Sequence, residues 1–177
     1  MSGTAVQEIE APVPPEEVPE DVRALIGTRS EWWIAPEPID RSFVRRFADA
    51  ILDHSPLYRD EKVARDAGYS TIPGPPTSIV RYPHGGTAIA EPHQVFKDMV
   101  GVLVFGGRTH VHGGTRLKIF RPAQVGDQVA QRTRLKDVQM KTGRGGRRMG
   151  MTVRETVYVN QHRQVLAVAE QIEFELP

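Results

Sequence analysis

The stretch Arg148-Met149-Gly150-Met151-Thr152-Val153-Arg154-Glu155-Thr156-Val157-Tyr158-Val159-Asn160 alternates apolar and polar side chains. Met149, Met151 and Val153 fall on one face and Thr152, Arg154 and Thr156 on the other, the two-residue period of a half-buried strand. Turn residues bracket it, Gly143 to Gly146 before and Asn160 to Arg163 after. Working outward, 117–120, 128–138 and 164–175 read as three more strands, with Gly126-Asp127 as a further turn signal.

Upstream of Thr115 the periodicity changes. Asp40 is a natural N-cap, and Phe43, Phe47, Ala50 and Ile51 recur at i, i+4, i+7 and i+8, one face of a helix running to about Leu52. Asp53-His54-Ser55-Pro56 breaks it. Residues 60–67 form a second short helix that Gly68 is placed to end. Ile72-Pro73-Gly74-Pro75-Pro76 is a rigid loop whose last proline opens a helix through Ser78, Ile79 and Val80. Residues 22–27 suggest a helical turn, and Trp32-Trp33-Ile34 a strand or loop closed by Pro36 and Pro38. Residues 82–115 are the hardest to read, with glycines and prolines around one apolar segment, 95–105. Helices first and an antiparallel sheet afterwards argue for an α+β fold and against a doubly wound parallel one.

Composition bounds the function. The chain has 177 residues, 39% hydrophobic and 25% charged, as expected for one globular domain. It holds no cysteine, which excludes disulfides, thiolate catalysis and thiolate metal sites. The longest apolar run, 99–105, is too short to cross a bilayer. The N-terminus has neither a basic start nor an apolar stretch after it, so no signal peptide and a cytoplasmic location are expected. Residues 1–21 carry six acidic groups, no basic ones and four prolines, and read as a disordered acidic tail ahead of a single domain at 22–177. That domain holds all 23 basic residues against 16 acidic ones. The excess suits an anionic ligand and is too thin to argue for nucleic acid.

Two segments resemble a known family. Asp53-His54-Ser55-Pro56-Leu57-Tyr58-Arg59-Asp60, followed by Ala64, Gly68-Tyr69 and Pro75-Pro76-Thr77, is similar to the first half of the MaoC-like hydratase/dehydratase signature. His112-Gly113-Gly114, Phe120-Arg121-Pro122, Val125-Gly126-Asp127 and Lys141-Thr142-Gly143-Arg144 resemble the second half. Together they span about residues 30–176. Each motif alone is weak, and their order and spacing carry the resemblance.

The resemblance implies a single hot-dog fold, an antiparallel sheet wrapped around a central helix, with units that pair around an acyl thioester. It implies no metal and no other cofactor. Fully equipped members use an Asp and a His five residues apart to add water to an enoyl thioester or remove it. One group activates the water and the other moves a proton at the α carbon. Here Asp53 stands at the acid position, but the His position is Tyr58, a poor proton shuttle near neutral pH. The His-Gly pair that often opens the family's central helix is replaced by Pro75-Pro76. Both departures resemble the N-terminal, FAS1-like dehydratase type of domain, which shapes the acyl tunnel while another half supplies the catalytic pair. With room for one unit, the resemblance implies that a second MaoC-like subunit with intact Asp and His is a separate chain.

Each candidate has a plainer reading. Asp53, the one catalytic candidate, also suits a helix-closing role. His54 sits beside it but points elsewhere on a helix end, and Tyr58 suits a packed aromatic. His110 and His112 share a strand face, and His-x-His can hold a metal, but no third ligand has a recognisable spacing. His84, His93 and His162 lie beside proline or in turns. Lys141, Arg144, Arg147 and Arg148 form a glycine-spaced basic hairpin tip, either a solvated turn or a set of donors for the phosphates of coenzyme A or of an acyl carrier's phosphopantetheine. No helix follows it, so it is not a phosphate loop. Candidate substrate contacts are therefore Tyr58, Pro75, Pro76, Thr77, Lys141, Arg144 and Arg147. A self-sufficient homodimer using Asp53, a non-catalytic acyl-thioester binding module and a hot-dog thioesterase are the rival readings.

Overall fold

A computed structural model describes residues 18–82 and 109–176. They form a five-stranded antiparallel sheet in the order β1-β3-β4-β5-β2: β1 Trp33–Ile34, β2 Thr109–Ile119, β3 Ala130–Thr142, β4 Arg148–Val159 and β5 Val165–Leu176. Strands β3, β4 and β5 run as a meander, and β2 joins the far side of β5. The meander turns where the sequence reading places its turn residues. Gly145 and Gly146 take positive φ at the first hairpin, and Asn160 Oδ1 accepts from the backbone N–H groups of His162 and Gln164 at the second.

Before the sheet come α1 Glu20–Arg23, α2 Arg41–Ala50 and α3 Glu61–Asp66. Asp40 caps α2 by accepting from Phe43 N at 2.6 Å, and Asp60 caps α3 by accepting from Lys62 N and Val63 N. Gly68, at φ 92°, ends that segment. Three 3-10 turns, Pro56–Tyr58, Pro76–Val80 and Arg144–Gly146, complete the described elements. The main core sits between these helices and one face of the sheet: Val44, Ala64, Ile72, Ile79 and Tyr82 meet Tyr158, Leu166, Ala167 and Ala169, with Leu117 and Ile119 against them. The apolar segment 95–105 lies outside the described residues. Among the described residues no helix is long and apolar enough to cross a membrane.

Two expectations need correction. Strand β2 begins at Thr109, well before residue 117, because His112, Gly113 and Gly114 make a bulge in a continuing strand and not a turn. The acidic segment ends earlier than residue 21: Glu20 and Asp21 open α1, and Val22, 5% exposed, packs on Leu135 and Val138 with Val18 and Leu25 alongside. Residues 1–17 lie outside the described residues. On β4, where the alternation left the inward face open, the polar face turns inward. Thr152, Arg154, Thr156 and Tyr158 are buried, whereas Met149, Met151 and Val153 are half-buried. Partners offset that burial: the hydroxyls of Thr133 and Thr156 share a hydrogen bond of 2.8 Å, and Arg154 pairs with Glu173 at 2.5 Å.

Candidate active site

The loop after α2 is built from its own side chains. Leu52 takes φ 58° and turns the chain, and Asp53 N closes the helix on Ala48 O at 2.9 Å. Asp53 Oδ1 accepts from Ser55 N at 3.0 Å, and Ser55 Oγ accepts from Leu57 N to start the Pro56–Tyr58 turn. Asp53 is thus half-buried, with one carboxylate oxygen engaged in shaping the loop. Arg59 braces it from outside, donating to Asp49 Oδ1 at 2.7 Å and more weakly to Asp53 O. That guanidinium holds the Asp49 carboxyl below its usual range.

Tyr58 is half-buried against the main core. Burial, then the charge of Asp53 and then Tyr69, push its phenol above its ordinary value of 10.0. At neutral pH it is a protonated phenol, unable to accept a proton. His54, next in sequence to Asp53, is exposed.

The second predicted loop is fixed to the segment that leads into β3. Pro73 bridges to Gln124, and Gly74 N donates to Ala123 O at 2.7 Å. A Cβ on Gly74 would stand 2.8 Å from Ser78 Oγ, so glycine allows the close approach there. Pro75 is fully buried and presents no side-chain surface to a ligand, whereas Pro76 and Thr77 are exposed. Lys141, Arg144 and Arg147 are exposed at the opposite end of β3. Some 40 Å of strand length, at roughly 3.3 Å per residue, separates them from the Pro73–Thr77 loop. The structure therefore brings Asp53 and Tyr58 together and leaves the basic tip remote from them.

The two histidines on β2 have separate partners. His110 Nε2 lies 3.1 Å from Glu173 Oε2, and His112 Nε2 lies 3.0 Å from Thr115 Oγ1. Sequence reasoning missed the buried Arg154–Glu173 pair, because the alternation of β4 carries no sign of which face is inward. It also missed a groove lined by Arg29, Trp32, Arg132, Arg134, Glu155 and Val157, whose residues come from segments a hundred positions apart.

The architecture is that of a hot-dog protein of the MaoC-like class. It is similar to a chain of the ChsH1-ChsH2 complex from Mycobacterium tuberculosis at TM-score 0.74 and 20% identity, covering 89% of this chain and 94% of that one. A chain of the C-terminally truncated HadBC (3R-hydroxyacyl-ACP dehydratase) complex from the same organism gives TM-score 0.60 at 20% identity, covering 82% and 96%. The R-hydratase PhaJ1 from Pseudomonas aeruginosa gives 0.58 at 15%, covering 86% and 81%. At these identities the likeness shows the fold. The family itself is narrower: the model for the FAS1-like dehydratase domain region matches residues 24–169, and this chain belongs to that family. Among sequence relatives, a UPF0336 protein of Thermobifida fusca is 39% identical over 112 residues, 61% of this chain and 68% of the relative. One from Saccharopolyspora erythraea is 33% identical over 106 residues, 59% and 63%. The matched segments thus span about two thirds of these relatives' length.

Proposed function

We propose that this chain is the tunnel-forming subunit of a heteromeric (R)-specific enoyl-thioester hydratase or dehydratase, acting in the cytoplasm on a thioester of coenzyme A or of an acyl carrier. A second hot-dog subunit supplies the Asp and His. The observation that carries this reading is Tyr58, a half-buried phenol with a raised pKa, standing beside Asp53 where the chemistry needs a group titrating near neutrality.

Two further features support it. Pro75 and Pro76 have no N–H, so the loop lacks two of the backbone donors that could polarise a thioester carbonyl there. Strand β2 stands at the edge of the sheet with eleven residues and no strand beyond it among the described residues, a template on which a second subunit can dock. In the reaction, hydroxide equivalent from water adds at the β carbon of the enoyl group and a proton at the α carbon; dehydration reverses both. The partner's pair moves those protons, and Tyr58 and the exposed Pro76–Thr77 corner shape the acyl path.

The test is hydration of crotonyl thioester by the purified chain, alone and co-purified with a MaoC-like chain that carries the intact Asp and His. Activity is expected only in the complex. Robust turnover by this chain alone, abolished by Asp53→Asn, would instead establish a self-sufficient enzyme.

A further inference from the structure

The groove beside β1 has features the dehydratase reading leaves unused. Residues 27–30 extend the edge of β3: Gly27 N donates to Leu135 O at 2.8 Å, Leu135 N to Thr28 O at 3.0 Å and Ser30 N to Thr133 O at 2.8 Å. That register sets Arg29 directly opposite Arg134. Residues opposite each other in an antiparallel pair project to one face, and like charges so placed destabilise the pair. Arg132 follows on the same face, its Nε donating to Ser30 O at 3.0 Å.

Three guanidinium groups therefore converge on a groove of about 350 Å³, within the range of small-ligand sites. One carboxylate faces them. Glu155 lies 2.8 Å from Arg134 Nε and also 3.9 Å from Lys136, so its charge is shared. Arg29 is exposed, and its side chain makes no hydrogen bond or ion pair among the described residues. One wall is the indole of Trp32, 45% exposed, with the Arg132 guanidinium 5.9 Å from its ring centroid. Val157 adds an apolar contact.

Three guanidinium groups against one shared carboxylate, beside a partly exposed indole, call for a ligand that is anionic at one end and planar at the other. We propose that this groove binds a nucleoside phosphate, its base on Trp32 and its phosphates on Arg29, Arg132 and Arg134. The same chemistry has two sources, the nucleotide end of a coenzyme A thioester and a free nucleotide. In the first case the groove names the carrier of the acyl group in the reaction proposed above. The site itself is read by binding and does not depend on that reaction.

The experiment uses the full chain with Trp33→Phe, so that indole emission reports Trp32, and calorimetry as a second readout. The probes are adenosine 3′,5′-bisphosphate, coenzyme A, 4′-phosphopantetheine and inorganic phosphate. Saturable one-to-one binding of the bisphosphate is expected, at least tenfold tighter than phosphate and weakened about tenfold or more by Arg29→Ala, the scale of one lost charge-assisted contact. Arg29 is exposed, so that variant keeps the fold. Trp32→Ala, read by calorimetry, is expected to weaken the bisphosphate but not phosphate. Coenzyme A binding within a few-fold of the bisphosphate supports the site and assigns it to the thioester. Coenzyme A excluded while the bisphosphate binds supports a free-nucleotide site. No bisphosphate binding at millimolar concentration, binding indifferent to both substitutions, or phosphopantetheine binding in its place overturns the proposal.

Discussion

The Asp53 carboxylate raises the pKa of the Tyr58 phenol through its charge, adding to the larger effect of burial. That charge acts with burial to oppose ionisation of Tyr58 near neutrality. Tyr58 stays protonated, and Asp53 accepts from the Ser55 backbone.

Replacing Asp53 by Asn should lower the Tyr58 pKa toward 10.0 without reaching it, because the burial contribution remains. Tyrosine-labelled NMR across the alkaline range reads this directly. A folded pKa above the unfolded value means that Tyr58 adds stability that is complete below pH 10 and lost as pH rises through its folded pKa. In the complex, Tyr58→Ala should alter KM or acyl preference and leave kcat within a few-fold. A fall in kcat of ~10²–10⁴, the scale of a lost general acid or base, would assign Tyr58 to the chemistry.

Val22 makes the junction between the acidic segment and the domain a structural element. It is 5% exposed against Leu135 and Val138. Val22→Ala should destabilise by about 1–2 kcal/mol, the loss of two buried carbons and the small cavity left. Chemical denaturation measures it, and an unchanged midpoint would show that α1 contributes nothing to the fold.

Much of this architecture was legible because its signals are local. Asp40 and Asp60 cap the helices they precede, Gly68 ends the second, and the residues of both meander turns sit where the strands reverse. Asp53 and Tyr58 were legible as neighbours because one short loop holds both. What stayed hidden depends on partners distant in sequence. The bulge at Gly113 keeps β2 running past a pair of glycines only because β5 lies beside them. The inward face of β4 is set by Thr133 and Glu173, and the cationic groove forms because residues 27–30 pair with β3.

Two glycines that look alike in sequence should respond differently to alanine. A Cβ on Gly113 would stand 2.5 Å from Phe174 Cε2 and 3.2 Å from Ile172 Cγ2. The aromatic ring has to move with its strand, so Gly113→Ala should cost about 1–3 kcal/mol. A Cβ on Gly143 meets the terminal methyl of Met149, which can swing away, and its backbone φ of −85° suits any residue. Gly143→Ala should therefore be nearly neutral. Melting temperatures of the two variants separate the cases, and equal losses would show that the contact with Phe174 does not set the cost.

The charged pair inside the sheet should be the most sensitive pair outside the loop. Arg154 is 1% exposed and forms an ion pair with Glu173 at 2.5 Å, with His110 Nε2 at 3.1 Å from the same carboxylate oxygen. Leu135, fully buried, lies opposite Arg154 on β3, so a less polar side chain fits the surroundings in shape. Charge is the obstacle. Arg154→Met leaves the Glu173 carboxylate largely buried with its guanidinium partner gone, which should cost about 3–5 kcal/mol. For a chain of this size that is a fall in Tm on the order of 10 °C. Adding Glu173→Gln removes the stranded charge and should restore a large part of the loss, so the double-mutant cycle should show a coupling well above 1 kcal/mol. If the two substitutions simply add, Glu173 draws its stabilisation from other groups and the pair is not a unit. If Arg154→Met alone is neutral, the guanidinium is held there by packing, and its charge plays no part in the stability of the sheet.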